Sequence, residues 1–408
     1  MKSLIPPIPY QVMISIKNSS SLVDVEDENH SLDTENEISL KLPTSLKHGG
    51  GFGITAALIQ LIAKFSRMNT DSKLSMHAAS ANEQGLHTLA QEPYGMTALY
   101  FIPTISLGPD SNLASRSALE HAVPRIRAMQ EGNFLDSMHG RGAFLSCFAG
   151  AKNEFLLPFY SRGTRDSLRG REEFSRLTEQ LIDACAPTAL RQLPSRHIKA
   201  LSLLVYELFR NTDEHAQDDV NGIPYRRNAR GILVKHITYS GESLSANATG
   251  QDINQNMFML RTLSNQKRHT DTDGNVRSAS DVTLIELTVF DTGPGLAKRW
   301  LSKTKPDLEM KDLSVEEEVA LVKACFTQHA TTKDNYESGH GLDLVVNCLH
   351  ELNAFLRLRT GRVCLVQDFS ATSTSNFSPR HWLKERPLLS AVPGAAYSIV
   401  IPLSRGKN

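Results

Sequence analysis

Residues 290–300 read FDTGPGLAKRW and directly follow TLIELTV, an apolar stretch rich in β-branched residues. The apolar stretch predicts a strand, and this strand ends in Asp291. A carboxylate at the edge of a sheet can accept hydrogen bonds from an amino group. Gly293 and Gly295 lack a Cβ and allow a flat ligand to approach the backbone, while Pro294 stiffens the turn. The alternative is an ordinary Asp-x-Gly turn without a ligand.

A helix with a polar stripe precedes this strand in the chain. Apolar residues recur at helical spacing through IKALSLLVYELFRNTDEHA, residues 198–216, which predicts a core-facing helix. Glu207, Asn211 and His215 are four residues apart and therefore share one face. The amide oxygen suits hydrated Mg²⁺, and a nearby carboxylate can orient or deprotonate a water molecule. The alternative is the polar edge of an amphipathic helix.

A third motif, FTQHATTKDNYESGHGLDLVV, occupies residues 326–346. Gly339 and Gly341 open a predicted helix, and the free N–H groups at such a helix start bind phosphate oxygens. Lys333 lies six residues upstream on a polar stretch and could reach a terminal phosphate. The alternatives are a glycine-containing loop and a solvated surface lysine.

Taken together and in this order, the three motifs resemble the GHKL superfamily of Bergerat-type ATPases. They are most similar to its sensor histidine kinase and anti-sigma branch, and the resemblance covers residues 195–408. It implies an α+β protein whose C-terminal part is a two-layer α/β sandwich, the Bergerat ATP-binding fold. It also implies that a mobile lid over the ATP spans about residues 296–338.

The resemblance implies a role for each matching residue. Asp291 would accept from the adenine amino group, and Gly293 would let the base lie against the chain. Asn211 would hold Mg²⁺, Glu207 would polarise the attacking water as the catalytic acid residue, and His215 would lie near the ribose or phosphates. The remaining positions that the resemblance places around the nucleotide are Gly295, Thr332, Lys333, Gly339, His340, Gly341 and Leu342.

The first half of the chain carries weaker signals. We expect a mixed α/β domain over residues 1–160 and a connecting helix over 161–194. A strand, glycine-loop and helix pattern near the start is faintly similar to STAS domains. The acidic stretch at 24–37 has no apolar periodicity and predicts a solvated loop.

Composition narrows the class of protein. The 44 basic residues equal the 44 acidic ones, so no net charge draws the chain to nucleic acid or to an anionic membrane. The five scattered cysteines form no Cys-x-x-Cys pair, which predicts reduced thiols in a cytoplasmic protein. The N-terminal residues lack the apolar run of a signal peptide, and the longest apolar helix candidate is too short for a bilayer.

We therefore expect ATP and Mg²⁺ as cofactors, slow hydrolysis coupled to a conformational switch, and a protein partner or a second copy of the chain. The alternatives are a cytoplasmic histidine or serine kinase and a non-hydrolysing ATP-sensing module. Glu214 stands where sensor kinases often have a basic residue, and Ala rather than an acid follows His121, so the kinase is the second choice. The neutral charge disfavours direct action on DNA.

Overall fold

The structure, a computed structural model, is of the mixed α/β class, which confirms the α+β expectation at that level. Two sheets organise the chain, and the helix Ile54–Met68 contacts elements of both parts. The described residues are 12–34, 38–47, 51–68, 71–108, 111–240, 253–267, 281–327, 341–371 and 376–403.

Five described strands near the N-terminus form the smaller sheet in the order β1-β2-β3-β4-β5. The first four are parallel and β5 pairs antiparallel with β4. Helical crossovers join the parallel strands, as parallel pairing requires. The strands are β1 Val12–Ser15, β2 Ile38–Leu42, β3 Lys73–Met76, β4 Thr104–Gly108 and β5 Ser111–Ala114. The helices are α1 Leu22–Thr34, α2 Ile54–Met68, α3 Glu83–Leu89, α4 Pro93–Phe101, α5 Ser115–Ala118 and α6 Val123–Glu131.

Seven described strands form the larger sheet in the order β11-β10-β9-β12-β8-β7-β6, with every neighbouring pair antiparallel. Because side chains alternate along a strand, Leu287, Val289 and Asp291 point to one face and Glu286 and Thr288 to the other. The strands are β6 Gly142–Phe148, β7 Ala229–Ser240, β8 Asp281–Asp291, β9 Phe355–Gly361, β10 Val363–Asp368, β11 Arg380–His381 and β12 Val392–Pro402.

Helices cover the face of the larger sheet to which Asp291 points. Here α9 packs against β7, β8 and two neighbouring helices, α7 and α13. The predicted core-facing helix is confirmed, since the apolar side of α9 is buried. The helices of this half are α7 Arg171–Cys185, α8 Pro187–Gln192, α9 Ser195–His215, α10 Ile253–Lys267, α11 Leu296–Thr304, α12 Val315–Ala324 and α13 Gly341–Glu351.

The second face of the larger sheet is also covered by helices. This covering adds a third layer to the two layers that the resemblance implies. Helix α2 packs on β8 and β12 as well as on α1 and α4, which explains why it is buried on nearly every side. At its start the N–H of Gly53 donates to Glu286 at 2.8 Å. Helix α10 covers the same face, since it packs on β8 and β10 and its Phe258 lies in one apolar cluster with Val282 and Leu284.

The larger sheet begins inside the range predicted for a separate N-terminal domain. Strand β6 pairs with β7 along its whole length, from Gly142 opposite Lys235 to Phe148 opposite Ala229. Helix α7, predicted as a connector, packs on α9. Local sequence patterns do not reveal this arrangement because some 80 residues separate the two paired strands.

The prediction of a loop for the acidic segment 24–37 is wrong for its first part, because that part belongs to helix α1. Val25 and Leu32 are buried, and so are Glu26 and Asn29. The apolar periodicity is invisible because polar residues occupy half of the buried side. Glu26 is accommodated there because Arg359 of β9 donates to both of its carboxylate oxygens, at 2.7 and 2.9 Å.

Candidate functional site

An open cleft lies where α9, the end of β8 and the start of α13 meet. It brings together residues from all three sequence motifs. Its walls are formed by Glu207, Arg210, Asn211, Glu214, His215, Ala216, Asp291, Pro294, Gly295, Leu296, Arg299, Trp300, Cys325, Gly341, Leu342 and Ala395.

The polar stripe of α9 faces this cleft, as its spacing predicts. Glu207 is 2% exposed, whereas Asn211 and His215 are half-buried further along the helix. Gly341 begins α13 directly opposite: a Cβ at that position would lie only 3.0 Å from Oε2 of Glu207. The first N–H groups of α13, which have no partner within the helix, therefore start next to the stripe.

Asp291 closes the inner end of the cleft. It is 5% exposed, and its Oδ1 accepts from the N–H of Gly293 at 2.9 Å. Burial raises the pKa of this carboxyl to about 6, although hydrogen bonds from the backbone of Gly293 and Ala395 oppose the shift. The fold thus keeps an ionised acceptor at neutral pH at a cost, which a donor on a bound ligand would offset.

The two glycines after Asp291 are required for different reasons. A Cβ on Gly293 would lie 2.6 Å from the Cα of Ala216, so packing against the end of α9 already requires glycine there. The expected approach of a base to Gly293 is therefore unnecessary to explain this residue. Gly295 has φ +84°, a left-handed conformation that favours glycine, and it lines the cleft.

Two arginines surround the Glu207 carboxylate. Nη2 of Arg171, the first residue of α7, lies 2.5 Å from Oε1, and Arg210 lies 3.6 Å from Oε2. Arg210 also pairs with Glu214 at 3.2 Å. Sequence reasoning missed Arg171, because it precedes the three motifs and no spacing links it to them.

Arg299 and Trp300 of α11 are further cleft residues that the motifs did not identify. The Arg299 guanidinium donates to the carbonyl oxygens of His215 and Asp219 at 2.7 and 2.9 Å. It thereby satisfies carbonyl groups at and beyond the end of α9, which lack partners within the helix. Trp300 is half-buried and offers the cleft an aromatic surface.

Several predicted residues lie outside the described residues, namely Thr332, Lys333, Gly339 and His340. The described part of the predicted lid is α11 and α12. Helix α12 is fixed to the sheet because the buried Glu318 accepts from the backbone N–H and the side chain of Arg362, at 2.8 and 2.7 Å. The described part of the predicted lid therefore contacts the larger sheet.

The cleft residues fit a cation that arrives with its ligand better than a resident metal. Among the described residues, no three His, Cys, Asp or Glu side chains cluster as a metal site. Asn211 offers one oxygen, and Mg²⁺ characteristically combines a few protein ligands with substrate phosphates and water. Asn211 would hold such an ion, which would neutralise phosphate charge.

Comparison with protein-family models, with curated proteins and with solved structures finds no match to this chain. None of the described helices is both long and apolar enough to cross a membrane. The five cysteines are free thiols.

Proposed function

We propose that the chain binds ATP with Mg²⁺ in this cleft and hydrolyses it slowly, as a member of the GHKL superfamily with a Bergerat fold. One observation carries the proposal. The cleft joins the Glu207, Asn211 and His215 stripe to the buried Asp291 on one side and to Gly341, at the start of α13, on the other. These groups match the base, cation and phosphate ends of a nucleotide.

The inner end of the cleft suits adenine. Asp291 is an ionised acceptor at neutral pH, and the exocyclic amino group of adenine is a donor. Guanine would present a carbonyl oxygen to the same carboxylate, and a buried acceptor left without a donor is penalised. Trp300 supplies an aromatic wall on which a base can stack.

The outer end suits a triphosphate. The free N–H groups at the start of α13 and the partial positive charge of that helix terminus favour phosphate oxygens. Glu207 lies beside this helix start and would accept a proton from a water molecule that attacks the terminal phosphorus. The oxygen–phosphorus bond to the attacking water forms as the bond to the leaving ADP breaks.

We further propose that ATP binding switches a protein assembly. The N-terminal elements contact the same sheet that carries Asp291, through α2 and through the Glu26–Arg359 pair. A change at the cleft would therefore reach a surface on which a partner or a second copy can read it. A cytoplasmic setting and the absence of direct nucleic-acid contact remain part of this proposal.

The proposal is tested by incubating the protein with Mg²⁺ and γ-labelled ATP and following the label. We expect the label to appear as free phosphate. The rate of its release should fall by about 50-fold or more in Asn211→Ala, because this variant lacks the amide oxygen that would hold Mg²⁺. Asn347→Ala, a change at an exposed amide on α13, is the matched control and should leave the rate unchanged.

The other destinations of the label would contradict the hydrolase. Label retained on the protein would establish the kinase alternative, and phosphosite mapping would then test His121 and the other histidines. If ATP binds but the label stays in ATP, the result would support the non-hydrolysing ATP-sensing module. ATP that does not bind at all would overturn the superfamily assignment.

A further inference from the structure

Arg171 holds a carboxylate that the hydrolysis reaction needs free. Its Nη2 lies 2.5 Å from Oε1 of Glu207, and Glu207 is 2% exposed. The Arg171 guanidinium therefore occupies the oxygen that would otherwise be open to a water molecule. With Arg210 on the second oxygen, both lone-pair edges of Glu207 face positive charge.

The backbone of Arg171 is held firmly while its side chain remains accessible. The chain just before α7 is tied down, because the N–H of Arg169 donates to the carbonyl oxygen of Phe159 at 2.8 Å. The neighbouring buried Tyr160 donates to Asp213 of α9 and accepts from Arg230 of β7 at 3.0 Å. The Arg171 side chain itself is 59% exposed, and the structure records Glu207 as its ion-pair partner. A flexible side chain on a fixed backbone can exchange between two anionic partners without a change in the backbone.

The second anionic partner would be the terminal phosphate. Glu207 lies against Gly341, and the start of α13 is where the proposed phosphates bind. A terminal phosphate carries about two negative charges, against one on Glu207, and planar guanidinium groups bind phosphate by paired hydrogen bonds. Both arginines lie over the Tyr206 ring, but Arg210 is less free to move, because it also pairs with Glu214 and its side chain is 24% exposed.

We propose that Arg171 senses the terminal phosphate by exchanging its ion pair with Glu207 for one with that phosphate. This inference rests on the proposed ATPase function. In the empty cleft it pairs with Glu207 and keeps that carboxylate from acting as a base. When ATP binds, the Arg171 guanidinium moves from Glu207 to the γ-phosphate. Oε1 of Glu207 is then free to accept the proton of the attacking water. ADP lacks that phosphate, so the pair re-forms after the inorganic phosphate leaves.

The proposal predicts how the protein tells ATP from ADP. In Glu207→Gln, Arg171 has no carboxylate to leave, so ATP should bind about tenfold more tightly than to the wild type, while ADP binding stays within twofold. In Glu207→Gln/Arg171→Ala, ATP should bind about 10- to 100-fold more weakly than to Glu207→Gln, again without a change for ADP. The neutral Gln leaves no unpaired buried charge, so the double variant should fold.

Binding is read by titration calorimetry and by the fluorescence of Trp300, which lines the cleft, whereas Trp382 is buried in the cluster on the opposite face of the sheet. The matched control is Glu207→Gln/Arg176→Ala, because Arg176 lies on the same helix and is 71% exposed. It should bind both nucleotides as Glu207→Gln does. Glu207→Gln/Arg171→Lys should recover part of the preference for ATP.

Two results would overturn the proposal, and they are distinguishable. If both nucleotides bind and the removal of Arg171 leaves the ratio of ATP to ADP affinity unchanged, Arg171 only orients Glu207 and the ATPase proposal stands. If the wild type and Glu207→Gln bind neither nucleotide, the proposed function fails and this inference fails with it.

Discussion

Glu207 and Glu26 are two nearly inaccessible carboxylates, 2% and 3% exposed, and each is paired with an arginine. They lie on opposite faces of the larger sheet. The partner of Glu26 is Arg359, whose side chain is 5% exposed and which also donates to carbonyl oxygens of Gly361 and Ser390. The partner of Glu207 is Arg171, whose side chain is 59% exposed.

The exposure of the arginine separates the two pairs in function. A pair with both members buried has no alternative partner, and breaking it strands a charge in a low-dielectric interior. A pair with one accessible member can dissociate, because water or a ligand can take over the arginine. The first pair therefore joins the N-terminal layer to the sheet, and the second is suited to exchange.

The largest effect should come from removing the arginine of the fully buried pair. Arg359→Leu leaves Glu26 without its cation, and we expect a loss of about 3–5 kcal/mol in the free energy of unfolding. Urea unfolding followed by circular dichroism measures it. Arg171→Ala should cost about 1 kcal/mol, because Arg210 still lies 3.6 Å from Oε2 of Glu207 and continues to pair with it. Equal losses in the two variants would contradict the contrast between the pairs.

The next effect concerns turnover. Glu207→Gln removes the proposed proton acceptor, and phosphate release should fall about 100-fold or more while ATP still binds. Glu26→Gln is the same chemical change on the other face of the sheet. At a temperature where it is folded, its turnover should stay within about twofold of the wild type. A parallel loss of turnover in both variants would show that Glu207 acts through stability instead of chemistry.

The smallest effect tests a third buried carboxylate, one held by backbone N–H groups. The pKa of Asp291 is raised to about 6, chiefly by burial. Asp291 is therefore almost fully ionised above about pH 7, and it becomes protonated as the pH falls through 6. ATP binding should weaken up to about tenfold between pH 7 and pH 5, since an adenine donor favours the ionised form.

Asp291→Asn provides the control for this pH dependence. ATP titrates in the same range through its own phosphate, and that contribution is common to both proteins. Calorimetric affinities at pH 5, 6, 7 and 8 should therefore show a steeper fall for the wild type than for the variant. Parallel curves would remove Asp291 from base recognition. In the free protein the same shift makes the fold relatively more stable below pH 6 than above it.

Local pattern was a good guide wherever one segment carried the signal. The spacing of Glu207, Asn211 and His215 predicted a stripe, and α9 presents all three to one cleft. The β-branched run before Asp291 predicted β8, which is confirmed. Helix α1 was missed because its buried side contains Glu26, whose burial makes sense only with Arg359 more than 300 residues away.

The sequence by itself determined the elements and the chemical types that meet at the cleft, because helical and strand periodicities and glycine turns depend on near neighbours. Only the tertiary structure decided which distant groups complete it. Arg171, Arg299 and Trp300 reach the cleft region from outside the spacing of the three motifs, and Gly293 is required by Ala216. The covering of the second face by α2 was decided in the same way. Such contacts join residues far apart in the chain, and packing and charge complementarity select them.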